Sequence, residues 1–182
     1  MIVSFCCWQN IALNAGGAIQ SSTYIHGSYA NSASLAVDGN INGGLASGSP
    51  HHSISITNRD DPSFWEVDLN GSYKISKIFV LNRVVGAARI NGFNLKVLDA
   101  GDNTQYNYID SDASGRNLFE IDLQEDGGIK EGSKVRIELS KTLTTDNFLQ
   151  LAEVMVFGEQ VRNLNAWSQI QKNVFFMNYV CT

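Results

Sequence analysis

The sequence predicts an all-β fold, an antiparallel sandwich or barrel. Three observations carry this. From Phe64 onward, apolar and polar residues alternate with a period of two. The alternating runs are short and separated at regular intervals by Gly, Asn, Asp and Ser. No strand–helix–strand pattern and no internal repeat interrupts them.

The chain starts weakly. Residues 10–18 are mostly small and polar, with Leu13, and read as an edge-like beginning. The run Gln20-Ser21-Ser22-Thr23-Tyr24 has strand propensity and is rich in hydroxyls. Residues 30–37 suit one short helical turn before Asp38-Gly39-Asn40, where Asp-Gly signals a tight turn. A long loop of little bulk follows and ends at Ser49-Pro50-His51-His52; a second polar loop runs to Ser63.

The clearest strands come next. Trp65, Val67 and Leu69 alternate with Glu66 and Asp68, and an Asn70-Gly71 turn is expected after them. The mostly apolar run Ile75 to Leu81 reads as a central strand. Phe93, Leu95 and Val97 alternate with Asn94 and Lys96, and Gly101-Asp102-Asn103 is a turn. Residues 118–123, 135–139 and 151–157 complete the pattern. In the tail, Leu164, Trp167, Ile170, Val174 and Met177 fall near helical spacing. It reads as a helix packed on the β domain, a linker or an unstructured end, with a terminal extension that has no part in the site as the simplest version.

The bulk properties narrow the function. A chain of 182 residues suits one domain with a substantial core. Hydrophobic residues make up 43% and charged ones 17%, which marks a globular rather than a disordered chain. The formal net charge of −5 disfavours nucleic acid and anionic membrane, since both require a basic face. No apolar run is long enough to span a bilayer. The three cysteines, Cys6, Cys7 and Cys181, have no metal-ligand spacing and cannot all pair within the chain. The apolar opening Met1 to Trp8 is too short for a secretory signal and has no leading basic residue; it reads as the remnant of one or as a first strand. Asn70-Gly71-Ser72 is a glycosylation sequon, relevant to a secreted chain.

An enzyme is not expected. The chain has no Gly-x-Ser-x-Gly elbow, no His-Glu-x-x-His and no phosphate-cradling glycine loop. Glu66, Asp68, Glu120 and Asp122 sit at outward strand positions and read as a solvated sheet face. Two other features point to binding. Asp38 and Asn40 flank Gly39, and Ser47 and Ser49 end the same loop. Such a loop is either a plain Asp-Gly turn or a carbonyl-and-carboxylate site for Ca²⁺, which takes six to eight oxygens. Arg83 and Arg89 bracket the short apolar loop Val84-Val85-Gly86-Ala87-Ala88, and His52 follows the glycine-rich loop. Guanidinium forks and an imidazole form a donor set suited to sugar hydroxyls, with Tyr24, His26 and Leu45 as candidate packing surface for a sugar ring. The plain alternative is an Arg83 that braces its loop through backbone carbonyls.

The order of Asn10-Ile11-Ala12-Leu13-Asn14, Gln20 to Tyr24, Ala36-Val37-Asp38-Gly39-Asn40, Phe64 to Leu69, Ile75 to Arg83, Arg89 to Phe93 and Ala152-Glu153-Val154 resembles the discoidin-like family. Within it the chain looks most like the F-type lectins, or fucolectins, over residues 10–158. Residues 1–9 then form an N-terminal segment and 159–182 a C-terminal extension. The resemblance implies a jelly-roll β-sandwich of the galactose-binding type and a structural Ca²⁺. Its ligands would be the Leu35, Asn40 and Ala152 carbonyls with Asp38, Ser49 and Glu153. It further implies that His52, Arg83 and Arg89 grip an L-fucose. Three departures stand out. The stretch between His52 and Arg83 is a few residues longer than the family's spacing. Val85 stands where the family places an aspartate that orients the arginines, which leaves Arg83 able to swing or to meet an anion. The loop between the arginines is one residue short and lacks the family's adjacent cysteine pair.

The sequence-based expectation is therefore a calcium-stabilised lectin-like module at the cell surface or outside the cell. It binds glycans, fucosylated ones among them, weakly per site, with avidity from a homo-oligomer or neighbouring modules. Two rivals stand beside it: an adhesion domain on the same fold with a decayed sugar site, and the binding module of a larger enzyme.

Overall fold

In the computed structural model, residues 9–43, 53–112, 114–140 and 148–161 are described. Eleven strands follow in order: β1 (Gln9–Asn10), β2 (Gly17–Gln20), β3 (Ile25–His26), β4 (Tyr29–Ala30), β5 (Ser55–Ile56), β6 (Ser63–Asn82), β7 (Asn94–Leu98), β8 (Thr104–Ile109), β9 (Leu118–Asp122), β10 (Lys130–Leu139) and β11 (Gln150–Gln160). Two short 3₁₀ turns, Ala33–Ala36 and Ala87–Ile90, are the helical elements among the described residues. All strand pairings are antiparallel.

The expected Asn70-Gly71 hairpin is absent. Residues 63–82 form one 20-residue strand. Asn70 takes a positive φ of 57° and its N–H donates to the Asp68 carboxylate at 2.8 Å, so the local turn chemistry is real. The chain bulges there instead of reversing, because each half pairs with distant partners. Residues 65–68 lie between β2 and β10; residues 77–81 lie between β11 and β9. The long strand thus passes from one layer of a sandwich to the other, and β10 follows it with a register shift between Gly132 and Lys134. β7 and β8 extend the first layer, whereas β1 and β5 pair with β11 in the second. The sandwich is the one implied by the galactose-binding-type resemblance.

The alternation read in the sequence sorts inner from outer positions. Trp65, Val67, Leu69, Ile78, Val80, Leu95, Val97, Ile137, Val154 and Val156 are all buried in one core. Glu66 departs from its expected place on a solvated face. It is largely buried and pairs with Arg136 Nη1 at 3.1 Å. Glu120 and Asp122 are paired with Lys77, at 2.5 and 3.0 Å.

Trp65 links the core to the functional loops. Its ring is fully buried and its Nε1–H donates to the Ala33 carbonyl at 2.9 Å, fixing the 3₁₀ turn that precedes Asp38. Trp65→Phe keeps most of the apolar contact but loses the donor and leaves a void. We expect it to lower unfolding stability by about 1–3 kcal/mol in a urea titration, with the loss of order beginning around residues 33–40.

Candidate functional site

The loop carrying Arg83 and Arg89 is held from below by Asn82, a nearly buried side chain at the end of β6. Its Nδ2 donates to the Ala87 and Arg116 carbonyls at 2.8 and 2.9 Å, and its Oδ1 accepts the Arg83 N–H at 2.7 Å. Gly86, at φ 76°, provides the left-handed entry to the second 3₁₀ turn, and Arg89 lies in that turn's last residues.

Arg83 is buried, with 8% of its surface exposed. Its Nη1 donates to Gln150 Oε1 at 3.2 Å, and its Nε has no hydrogen-bond partner. Burial, and then the charge of Arg89, lower its pKa from the ordinary arginine value. Among the described residues, then, Arg83 is held by a side-chain amide rather than by backbone carbonyls. Gln150 orients it where the family pattern would use an aspartate.

Phe148 assembles the rest of the rim. The Arg89 guanidinium lies 5.8 Å from the ring centroid, within cation–π range, and that of Arg59 lies 5.0 Å away. Tyr24 meets the same ring edge-on at 5.5 Å, and His26 stacks on Tyr24 at 6.5 Å. The structure thus brings Tyr24, His26 and Arg89 into one aromatic–cationic cluster. His52, Leu45 and Ser49 lie outside the described residues. Phe148, Gln150 and Arg59 were not read from the sequence. The only local signal was an aromatic and an amide just before an otherwise apolar strand.

The Asp38 loop meets β11 at Glu153. That carboxyl is almost fully buried, 1% exposed. Its Oε1 accepts the Gly39 N–H at 3.1 Å, while Oε2 has no partner. Burial pushes its pKa up to about 7; the Gly39 N–H opposes that shift and the Asp38 charge adds to it. Asp38 Oδ1 accepts the Asn40 N–H at 2.8 Å. A buried carboxylate oxygen without a donor, beside a second carboxylate, fits a hard cation. Among the described residues no group of three or more His, Cys, Asp and Glu side chains comes together, so an ion here would have to draw on backbone carbonyls. Leu35 and Ala152 belong to the two segments that meet at this point.

The two loops are stitched together at Gly43. The Val84 N–H donates to its carbonyl at 3.1 Å, and a Cβ on Gly43 would lie 2.7 Å from the Asn82 carbonyl oxygen. Only glycine allows this approach, so the Asp38 loop and the arginine loop share one support.

Comparison with known proteins identifies the family and the fold. The F5/F8 type C family described as NedA-like, galactose-binding domain matches residues 35–137. A fucose-binding module of Streptococcus pneumoniae is 34% identical, with 81% of this chain and 96% of that one covered and a TM-score of 0.68. The lectin domain of lectinolysin, solved with Lewis b antigen, is 31% identical over 82% of this chain and 96% of that one, TM-score 0.68. A fucolectin from striped bass (Morone saxatilis) serum is 25% identical over 84% of this chain and 50% of that one, TM-score 0.68. No curated protein matches the sequence. The chain belongs to the NedA-like galactose-binding domain family, and within it is similar to fucose-binding modules and F-type fucolectins.

Proposed function

We propose that the protein is a non-enzymatic, calcium-stabilised carbohydrate-binding module that recognises L-fucose-bearing glycans outside the cell or at its surface. One observation carries the reading: the buried guanidinium of Arg83 keeps an unpaired Nε–H and feels the charge of Arg89, which itself lies over the Phe148 ring. A buried donor left unpaired is costly, and a ligand oxygen relieves it. Arg83 and Arg89 donate to the sugar's hydroxyls and ring oxygen, with His52 completing the set. Phe148 and Tyr24 offer apolar surface for the sugar's carbon face. Similarity to a fucose-binding module and to a lectin domain solved with Lewis b antigen supports the same ligand class. Ca²⁺ is held by Asp38, Ser49 and Glu153 with the Leu35, Asn40 and Ala152 carbonyls, and neutralises the Glu153 carboxylate. Its role is structural, since the loop it ties has few apolar side chains of its own.

One monosaccharide buries little area, so useful affinity comes from multivalent presentation. The exposed pair Val84 and Val85 favours a second reading, an adhesion domain that contacts a protein partner through this loop. A glycan array probed with the full chain in excess calcium separates them. Fucosylated glycans are expected to dominate the hits, and to disappear in chelator. Hits confined to non-fucosylated sugars overturn the fucose assignment; no hits at all favour the adhesion reading.

A further inference from the structure

The loop that leaves β5 is drawn across the residue that precedes β11. Ile56 of β5 faces Gln150 of β11, and the pairing runs one step further: the Thr57 N–H donates to the Leu149 carbonyl and the Leu149 N–H to Thr57 Oγ1, both at 3.0 Å. Arg59 is thereby laid on the ring of Phe148, its guanidinium 5.0 Å from the centroid. Arg89 reaches the same ring at 5.8 Å, so the two guanidiniums stand no farther apart than a disaccharide spans. Elsewhere among the described residues, a cation lying on a ring is completed by two carboxylates. Arg136 lies on Phe64 and pairs with Glu66 and Glu138. Arg116 lies on Phe119 and pairs with Asp110 and Asp112; Lys77 lies on Phe79 and pairs with Glu120 and Asp122. Arg59 has the ring alone. It is exposed, and among the described residues no carboxylate or other acceptor meets its guanidinium. The acids next to it in sequence are engaged elsewhere: Asp60 accepts the Ser21 and Ser22 hydroxyls, and Asp61 that of Ser140.

Resting on the carbohydrate reading, we infer that Arg59 and the Phe148 ring form a subsite for an oxyanion, a sulfate ester or a carboxylate, on the sugar adjoining the fucose. This narrows the ligand from fucosylated glycans in general to acidic ones. A guanidinium with one face on an aromatic ring keeps its donor edge open, and that edge is a planar fork matched to two oxygens of a carboxylate or sulfate. The ring also restrains the side chain, so less freedom is lost when the anion arrives. The charge of the acceptor decides the ligand class. A neutral hydroxyl only replaces the water an exposed guanidinium already has, which gains little; an anion makes charge-assisted bonds, roughly twice as strong as neutral ones. The local field points the same way. The chain as a whole carries −5, yet Arg59 and Arg89 share one ring, and the charge of Arg89 is felt at Arg83, where it helps to lower the pKa. An anion at Arg59 offsets this concentration of positive charge.

Titration calorimetry on the full chain in calcium compares a neutral fucosylated trisaccharide with its sulfated and its sialylated form. At least one acidic form is expected to bind about five-fold or more tightly than the neutral one at low salt, with the gain shrinking as salt rises. A gain for the sulfated form alone assigns a sulfate ester, and one for the sialylated form alone a carboxylate. Arg59→Gln should bring the ratio of acidic to neutral affinity close to one, and Arg59→Glu should invert it. Arg59 is exposed, so thermal melts of both variants are expected to match the parent and show that they are folded. Equal affinities for neutral and acidic forms in the parent, or a ratio that survives in Arg59→Gln, overturn the inference while fucose binding stands. Binding of none of the three overturns the fucose reading and this inference with it.

Discussion

Arg83→Ala is expected to lower the affinity for fucosylated glycans by about 100-fold or more. Hydrogen bonds to charged donors contribute about 1.5–3 kcal/mol each, and each 1.4 kcal/mol is tenfold in affinity. Arg83 has more than one donor to give: its Nη1 meets Gln150, while its Nε stands without a partner. Arg83→Lys is expected to fail almost as badly, because a single ammonium cannot span Gln150 and a ligand as a planar fork does. The fold should survive both changes. The guanidinium is buried beside Arg89 at a desolvation cost, and its removal relieves that cost while losing some stem packing. Arg83→Met, which keeps the stem, serves as the stability control. Titration calorimetry with a fucosylated oligosaccharide, alongside thermal melts, reads both quantities. Wild-type affinity in Arg83→Ala with an intact melt would remove Arg83 from the site.

How much of this was legible beforehand depends on whether the signal is local. The inward set Trp65, Val67 and Leu69 followed from alternation alone, because a strand with one buried face must place every second residue inward. The Asn70-Gly71 reversal did not occur, although its turn chemistry is present in the positive φ of Asn70. A hairpin needs its two flanking strands to pair with each other. Here they pair with β2, β10, β9 and β11, partners that local pattern does not reveal. Glu66 was misplaced for the same reason, since its cation, Arg136, lies 70 positions along the chain.

The candidate site divides in the same way. Arg83 and Arg89 drew attention as two cations around an apolar loop, and Tyr24 and His26 as aromatic surface; the fold places Arg89 and Tyr24 about one ring, Phe148, with His26 stacked on Tyr24. Phe148 and Gln150 stayed hidden because neither belongs to a periodic run. Their roles arise from the start of β11 lying opposite the end of β6, where Leu151 pairs with Asn82. The absent aspartate at Val85 pointed to a loosely held Arg83, yet an amide from another strand occupies that role. A substitution in a motif thus says which local partner is missing, not whether a distant one replaces it.

Glu153→Gln is expected to abolish a calcium dependence of stability that is large in the parent. A ligand that binds only the folded state adds about 2.7 kcal/mol at a hundred-fold excess over its Kd. For a chain of this length each kcal/mol moves the melting temperature by roughly 2–4 °C. Calcium in that excess should therefore raise the parent's melting temperature by about 5–10 °C over the chelated protein. Glutamine is the informative replacement. Its amide oxygen can still accept the Gly39 N–H that now reaches Glu153 Oε1, so the loop contact persists without the charge. Burial disfavours the ionised carboxyl in the ion-free protein, which lifts its pKa to about 7. The chelated variant should accordingly melt at or above the chelated parent near neutral pH, whereas in calcium the parent should be clearly the more stable. The same variant should bind fucosylated glycans more weakly even though Glu153 donates nothing to a sugar. The path is short: Glu153 holds Gly39, the loop runs on to Gly43, and the Gly43 carbonyl takes the N–H of Val84, the residue after Arg83. A parent melt indifferent to calcium, or a variant that still responds to it, rules out an ion at this carboxylate.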